Sequence, residues 1–221
     1  MKENPIRVLL ADDHQVLRAG LVALLDGEND IDVIGEAGSG EEAIRMALEA
    51  QPDVIVMDLG MPGKVSGLDA IREIRRQNPE IRILVLSMHS GREIVMQAIK
   101  AGCDGYVPKS SAHTNLLRAI RVVYSGERYL HPTVATVVVD ELTDRQAKAG
   151  LLNILSDREQ EVLRWTAMGF TSREIGEKSA LSPKTVDTYR QRAMEKLNLE
   201  ARSDIIRFAL QAGLLDDIHD Q

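Results

Sequence analysis

The amino-acid sequence predicts an α/β protein in which a doubly wound, five-stranded parallel sheet is followed by an all-α domain. Apolar, strand-like runs alternate with helical patterns five times in the first 126 residues. Such strict alternation favours a parallel sheet with right-handed crossover connections. After residue 150, only helical patterns remain. We therefore predict one domain over residues 1–126, a connecting segment over 127–150 and a helical domain over 151–221.

The predicted strands are short apolar runs bounded by glycine, proline or polar residues. The third, Val54–Met57, is wholly apolar and precedes Asp58 and the turn residues Gly60 and Pro62. This is typical of a strand buried on both faces of a parallel sheet. The other strands are predicted at 6–11, 31–35, 81–86 and 105–107, and the helices at 16–25, 41–50, 68–76, 93–101 and 116–124.

Polar side chains follow four of these strands at their C-terminal ends. Asp12 and Asp13 follow the first strand, Asp58 the third, and Ser87 and Lys109 the fourth and fifth. Because open α/β sheets bind ligands at this edge, we expect the side chains to meet there. Each also has a plainer explanation: Asp58 can begin a turn, the other aspartates or Ser87 can cap a helix, and Lys109 can be a solvated charge.

Together, these residue types predict phosphoryl chemistry. Three carboxylates in one pocket repel one another, so we expect a cation among them. Mg²⁺ is the predicted occupant because it prefers oxygen ligands and also accepts a substrate phosphate. Phosphoryl transfer to a carboxylate would make Asp58 the nucleophile, with the cation and Lys109 spreading the charge of the transferring group. The Ser87 hydroxyl would hydrogen-bond the attached phosphoryl group.

Four motifs at these strand ends resemble the receiver domain of bacterial two-component response regulators, a flavodoxin-like fold. They are Ala11-Asp12-Asp13, residues 57–62, residues 86–89 and residues 105–109. The resemblance covers residues 5–125 and implies that a sensor histidine kinase phosphorylates Asp58. It implies movement of Ser87 and Tyr106 on activation. It also implies Mg²⁺ bound by Asp12 (usually through water), Asp13, Asp58 and the backbone carbonyl of Gly60.

One departure from the receiver pattern lies beside Asp58. Four residues, 63–66, separate Pro62 from Gly67, where the family usually has three. We expect the extra residue to change partner access or the lifetime of the phosphoryl group.

Capping signals organise the C-terminal helices. Ser156-x-x-Glu159 and Thr171-x-x-Glu174 are capping boxes, and Ser182 followed by Pro183 marks the start of a third helix. A short helix and a tight break before a longer helix is the helix-turn-helix pattern. A fourth helix is predicted at 203–212. Residues 156–163, 168–175 and 181–190 resemble the four-helix effector domain of the NarL/LuxR family, which implies double-stranded promoter DNA as a ligand.

The third of these helices carries the predicted DNA contacts. Four side chains share one face that could enter a major groove, and three basic side chains would contact phosphates. The first set is Lys184, Thr185, Thr188 and Gln191, and the second is Arg190, Arg192 and Lys196. Residues 171–207 hold eight basic and six acidic side chains, an excess of only +2.

Three positions of this helical domain depart from the family. Asp187 stands where a lysine is common; it either accepts from cytosine N4 or pairs with Arg190 or Gln191, and we favour pairing. Gly176 and Ser179 replace the usual alanine and leucine, which predicts a less stable short helix.

Composition limits the remaining possibilities. No apolar run approaches the ~20 residues that a membrane span needs, and no signal peptide precedes the first strand. The single cysteine, Cys103, excludes an internal disulfide and a cysteine-based metal site, which fits a cytoplasmic protein. The net charge is −7, so any nucleic-acid contact must come from a local patch.

The sequence therefore predicts a phosphorylation-activated DNA-binding transcription regulator, not an enzyme beyond slow self-dephosphorylation. Its expected partners are a histidine kinase, promoter DNA and a second copy when phosphorylated, with RNA polymerase a further candidate and no membrane. One alternative is an aspartyl-phosphate hydrolase, which usually needs a second acid where Gly60 stands. Another is a constitutive DNA binder with a structural first domain, against which the complete set of acids and lysine argues.

Overall fold

The computed structural model describes residues 5–215, apart from the side chain at position 145. Residues 1–4 and 216–221 of the two predicted domains therefore lie outside the described residues. The chain forms two compact units, and the boundary between them falls between Val139 and Asp140. The first unit is an α/β domain and the second is helical.

Strands and helices alternate through the first unit. In chain order they are β1 Ile6–Ala11, α1 Gln15–Asp26, β2 Ile31–Ala37, α2 Gly40–Ala50, β3 Val54–Met57, α3 Gly67–Gln77, β4 Arg82–Ser87, α4 Arg92–Ala101, β5 Gly105–Pro108, α5 Ala112–Tyr124 and β6 Tyr129–Leu130. A single 3-10 turn, Lys109–Ser111, joins β5 to α5.

The sheet has six parallel strands in the order β2-β1-β3-β4-β5-β6, so the expectation of five strands is wrong by one. The additional strand is β6, which pairs Tyr129 with Gly105 and Leu130 with Tyr106 of β5. Two residues are too few to show the alternation by which a strand is recognised in sequence. Only the pairing with β5 identifies this segment as a strand.

Apolar side chains on the two faces of the sheet form two separate cores. Successive residues of β3 alternate between them, because strand side chains point to opposite faces. Ile55 and Met57 pack in the core beneath α2, α3 and α4, whereas Val54 and Val56 pack in the core beneath α1 and α5. Helices thus cover both faces and leave the strand ends as the place for polar groups.

The segment predicted as a connector contains regular structure. After β6, the helix α6 runs from Pro132 to Leu152. Near its start, Val134 is fully buried in the core of the first unit. No helix among residues 5–215 is long and apolar enough to cross a membrane.

Four helices follow α6 in the described part of the second unit, which ends at residue 215. They are α7 Asp157–Ala167, α8 Ser172–Ser179, α9 Pro183–Leu197 and α10 Arg202–Gln211. Both predicted capping boxes are confirmed: the backbone N–H groups of Ser156 and Thr171 donate to Glu159 and Glu174 at 2.8 and 2.7 Å. Ser182 caps α9 and accepts from the N–H of Thr185 at 3.1 Å.

Gly176 and Ser179 have structural roles that helix propensity does not capture. A Cβ on Gly176 would lie 2.5 Å from the carbonyl oxygen of Leu181. The backbone between α8 and α9 therefore passes too close to position 176 for an alanine side chain to fit. Ser179 is buried and donates a 2.7 Å hydrogen bond to Glu161. Gly176 and Ser179, which were expected to weaken α8, therefore let it pack against the turn before α9 and bond to α7.

Candidate functional site

Three strand ends bring Asp12, Asp58 and Lys109 into contact. β1, β3, β4 and β5 are consecutive in the sheet, so the residues that follow them share its carboxyl edge. The ammonium nitrogen of Lys109 lies 2.7 Å from Oδ2 of Asp58 and 2.7 Å from Oδ2 of Asp12. All three residues are more than 90% buried. Lys109 is thus a buried partner of two acids and not a solvated charge.

The pKa of Lys109 reflects two opposing effects. Burial alone would lower this pKa, because it disfavours the charged ammonium. Hydrogen bonds and charge attraction from Asp12 and Asp58 outweigh burial and raise the pKa. The ammonium therefore remains charged at neutral pH, as charge neutralisation at this edge requires.

A group of potential metal-ligand atoms lies beside the ion pair between Asp58 and Lys109. One oxygen or nitrogen from each of four residues falls within a 4.8 Å cluster: Asp12, Asp13, His14 and Asp58. Asp13 Oδ1 is buried and makes no hydrogen bond within residues 5–215; Nδ1 of His14 lies 2.9 Å from it. An acidic set with a buried oxygen lacking a hydrogen bond fits a divalent cation with oxygen ligands.

His14 is the residue of this cluster that the sequence analysis did not select. It is the N-cap of α1, and its backbone N–H donates to Asp12 Oδ1 at 2.8 Å. The Asp12 carboxylate therefore orders the turn just before the helix, instead of capping the helix itself. The position of His14 directly after two aspartates was the only available signal.

Ser87 and Tyr106 meet at the backbone of His89. Both side chains are buried. Ser87 Oγ accepts from the His89 N–H at 3.2 Å, and the Tyr106 hydroxyl donates to the His89 carbonyl at 2.5 Å. Burial raises the pKa of Tyr106, so its hydroxyl remains a donor. The segment after β4 is thereby attached to β5. Ser87 does not cap α4, whose N-cap is Gly91.

The loop with the extra residue leaves Asp58 and returns to it. The N–H of Gly60 donates to Asp58 Oδ1 at 3.1 Å. A Cβ on Gly67 would lie only 2.1 Å from the Asp58 carbonyl oxygen, which explains the glycine. Between these points, the N–H of Lys64 donates to Glu41 at the start of α2 at 3.2 Å. The loop is therefore supported by α2, and Glu41 is a contributor that the sequence did not reveal.

Helix α9 presents most of the predicted DNA contacts to solvent. Its buried side includes Val186, Ala193 and Leu197. Of the seven predicted contact residues, Thr185 and Arg190 are half-buried and five are exposed; the five are Lys184, Thr188, Gln191, Arg192 and Lys196. Within the described part of the chain, neither Lys184 nor Arg192 has an ion-pair partner.

Arg190 and Lys196 differ from these two cations, because each pairs with a carboxylate of its own domain. Arg190 contacts Asp187 Oδ1 at 2.5 Å and Ser172 Oγ at 2.9 Å. Lys196 contacts Glu159 at 2.7 Å and lowers the pKa of that carboxyl. Of the alternatives for Asp187, the structure shows pairing with Arg190.

A buried acid–lysine pocket on a parallel sheet and an exposed basic helix in a helix-turn-helix unit define a DNA-binding regulator controlled at an acidic site. Comparison with known families agrees. Residues 8–121 match the response regulator receiver domain, and residues 153–209 match the bacterial regulatory proteins of the luxR family.

Known proteins match the chain over nearly its whole length. The chain is 36% identical over 216 residues to the oxygen regulatory protein NreC of Staphylococcus carnosus, covering 96% of this chain and 100% of that protein. NreC of Staphylococcus aureus strain RF122 is 37% identical with the same coverage.

Solved structures resemble the chain across both units. One is the RcsB response regulator of Salmonella typhimurium, at 28% identity and a TM-score of 0.62, covering 94% of this chain and 99% of that one. A complex of RcsB with DNA has a TM-score of 0.59 at 28% identity, with the same coverage. The chain belongs to the luxR-family response regulators of two-component systems. It is a phosphorylation-dependent transcription regulator, and its receiver domain implies a histidine kinase partner.

Proposed function

We propose that Asp58 is the phosphoryl acceptor of this regulator and that its phosphorylation controls dimerisation and promoter binding. The observation that carries the proposal is the buried 2.7 Å ion pair between Asp58 and Lys109 at the end of β3. A carboxylate in that position is held next to a fixed positive charge. Its oxygens also lie beside the Asp13 carboxylate and His14.

The residues of this pocket would have different roles in phosphoryl transfer. Asp58 supplies the attacking oxygen, and Lys109 offsets negative charge on Asp58 and on the incoming phosphoryl group. Asp12, Asp13, Asp58 and the Gly60 carbonyl would hold Mg²⁺. When bound, Mg²⁺ supplies further charge neutralisation on the transferring group. Slow self-dephosphorylation of Asp58 is the only hydrolysis we propose.

The test of the acceptor uses acetyl phosphate as a small phosphoryl donor with Mg²⁺. Intact-mass measurement should show one added phosphoryl group on the wild-type chain and none on Asp58→Asn. Asp32→Asn is the matched control, because Asp32 is an exposed strand aspartate away from the pocket. Phosphorylation that persists in Asp58→Asn would contradict the assignment.

Ser87 and Tyr106 are proposed to connect the phosphoryl group to the rest of the receiver. Ser87 Oγ now accepts from the His89 N–H, and Tyr106 holds the carbonyl of the same residue. A phosphoryl group that recruits the Ser87 hydroxyl would favour a different arrangement of this segment, and it shifts the population only by its differential affinity. Ser87→Ala should therefore accept phosphate but show a weak DNA response. Wild-type coupling in this variant would refute the role.

For DNA, we propose that α9 enters the major groove with Lys184, Thr185, Thr188 and Gln191, while Arg192 contacts phosphate. Arg190 and Lys196 are proposed to contribute less, because Asp187 and Glu159 offset their charges. Arg192→Gln should weaken binding to duplexes of any sequence. It should also reduce the slope of log affinity against log salt concentration by about one. Arg202→Gln is the control. It also removes a positive charge, but Arg202 lies on α10, outside the proposed DNA-binding helix, and its guanidinium contacts the Phe170 carbonyl at 3.1 Å. Equal effects of both variants would count against a specific role for α9.

We further propose that the phosphorylated protein binds DNA as a homodimer. The charge excess of one helical domain is small, and two linked domains gain about 10²–10⁴-fold from effective concentration. Sedimentation velocity of phosphorylated protein, with and without duplex, should show dimers. A phosphorylated chain that stays monomeric on DNA, yet binds more tightly than the unphosphorylated chain, would indicate release of a masked helix and would overturn the dimer proposal.

A further inference from the structure

Asp187 holds an arginine and a serine from two different helices. Its Oδ1 atom accepts from the Ser172 hydroxyl at 2.6 Å and lies 2.5 Å from the guanidinium of Arg190. A second guanidinium nitrogen of Arg190 donates to Ser172 Oγ at 2.9 Å. The three side chains form a closed network, which we call the Asp187 network. It joins the first residue of α8 to the middle of α9.

The Asp187 network restrains Arg190 more than an ordinary surface pair would. Arg190 is 29% exposed and uses two nitrogens. In the nearby Arg173–Glu177 pair, the side chains are 84% and 68% exposed and meet at 3.2 Å. Such an exposed pair contributes little, because solvent screens it. Two bonded nitrogens and partial burial fix the guanidinium of Arg190 against the domain.

The carboxylate has a consequence for DNA binding. Sequence-independent affinity arises mainly from basic side chains that neutralise phosphates and release counterions. A guanidinium paired with Asp187 neutralises an acid of the protein instead. The side chains of α9 that are proposed above to contact bases take no part in that pairing.

We propose that Asp187 is a specificity-determining residue of the DNA surface. By holding Arg190 in the Asp187 network, it withdraws one guanidinium from sequence-independent phosphate binding and so increases the share of affinity that base contacts supply. The inference rests on the proposed role of α9 in DNA binding. Oδ1 of Asp187 already accepts from Ser172 and Arg190, so a direct contact from Asp187 to cytosine would have to use Oδ2.

The experiment measures binding of the full chain to a random-sequence duplex by fluorescence anisotropy at several salt concentrations. Asp187→Asn keeps the shape and an acceptor for Ser172 but removes the charge that holds Arg190. It should bind about fivefold more tightly at 0.1 M salt, with a salt slope steeper by about 0.9. Glu177→Gln is the matched control: it removes the same charge and also frees an arginine, but no closed network is lost. Asp187→Asn that binds no more tightly than Glu177→Gln would overturn the proposal.

Two further variants show whether the gain comes from Arg190. Arg190→Gln in the wild-type background should change affinity for random duplex by less than about twofold, because this arginine is already withdrawn. In the Asp187→Asn background, Arg190→Gln should abolish the gain in affinity for random duplex. A gain that persists in the double variant, or a loss in Arg190→Gln equal to that in Arg192→Gln, would contradict the inference. The single-arginine comparison decides the matter even if Asp187→Asn does not fold.

Arg192→Gln separates this inference from the proposed function. If Arg192→Gln does not weaken binding, the assignment of α9 fails. If it weakens binding while Asp187→Asn shows no gain, the assignment stands and the role of Asp187 fails. A chain that binds no duplex, phosphorylated or not, contradicts both.

Discussion

The ammonium of Lys109 lies 2.7 Å from the carboxylate of Asp58, and both side chains are almost fully buried. Asp12 shares the same ammonium at 2.7 Å. Two buried acids therefore depend on one cation of the chain. Removing one partner of a buried pair is costly, because the remaining charge stays desolvated.

Lys109→Gln should accordingly destabilise the receiver. We expect a loss of about 3 kcal/mol in the free energy of unfolding without divalent cations, from two carboxylates left without a counter-charge. Urea denaturation measures the change. Lys64→Gln, which alters an exposed lysine on the adjacent loop, should change the free energy by less than about 0.5 kcal/mol. Similar values for the two variants would show that the buried pair contributes no net stability.

Magnesium should stabilise the folded protein through the acidic cluster. A ligand that binds only the folded state raises the unfolding free energy, by about 2.7 kcal/mol at one hundred times its dissociation constant. Asp13→Asn should reduce this stabilisation, because Asp13 Oδ1 belongs to the acidic cluster and is a buried oxygen that makes no hydrogen bond to the described residues. Thermal unfolding with and without MgCl₂ measures the effect. Asp32→Asn should respond like the wild type, and an unchanged response in Asp13→Asn would place the cation elsewhere.

The thiol of Cys103 should make stability depend on alkaline pH. Burial raises its pKa from 9.0 to about 12. The thiol therefore ionises at a lower pH in the unfolded chain than in the folded chain. Its contribution to the free energy of unfolding is complete below pH 9 and is lost as the pH rises towards 12. The expected loss from this group is about 1.4 kcal/mol per pH unit within that window.

Cys103→Ala tests this dependence. The variant should be less stable than wild type at pH 8, because a small cavity replaces the sulfur. The difference between the two proteins should shrink by about 1 kcal/mol between pH 8 and pH 10. Urea denaturation at both pH values gives the difference, and a constant difference would mean that the thiol ionises equally in both states.

Two glycine-to-alanine variants should have opposite effects. Gly176→Ala should destabilise the helical unit by about 1–3 kcal/mol, because the new Cβ would collide with the carbonyl oxygen of Leu181. A Cβ on Gly150, in α6, would have no non-neighbouring atom of the described residues within 4 Å, so Gly150→Ala should stabilise the fold by up to about 1 kcal/mol. Denaturation followed by the fluorescence of Trp165 measures the first and by circular dichroism the second. Stabilisation by Gly176→Ala would mean that helix propensity outweighs the contact.

Much of the receiver follows from local patterns in the sequence. The alternation of strands and helices depends on apolar periodicity within short segments, as at Val54–Met57. The rule that parallel strands end at one edge was enough to predict that Asp12, Asp58 and Lys109 lie at the same edge of the sheet. The capping boxes at Ser156 and Thr171 were predictable for the same reason, because both partners lie three residues apart.

Contacts between distant parts of the chain were decided by the tertiary structure alone. Pairing with β5 makes a strand of Tyr129–Leu130, which is too short to carry a pattern. Lys109 could have faced solvent, and only packing places its ammonium between two acids. Asp187 had several possible partners within reach along α9, and the packing of α8 against α9 brings Ser172 to the same oxygen. Local patterns determine which elements form, whereas the partners of a side chain depend on distances that exist only after those elements have packed.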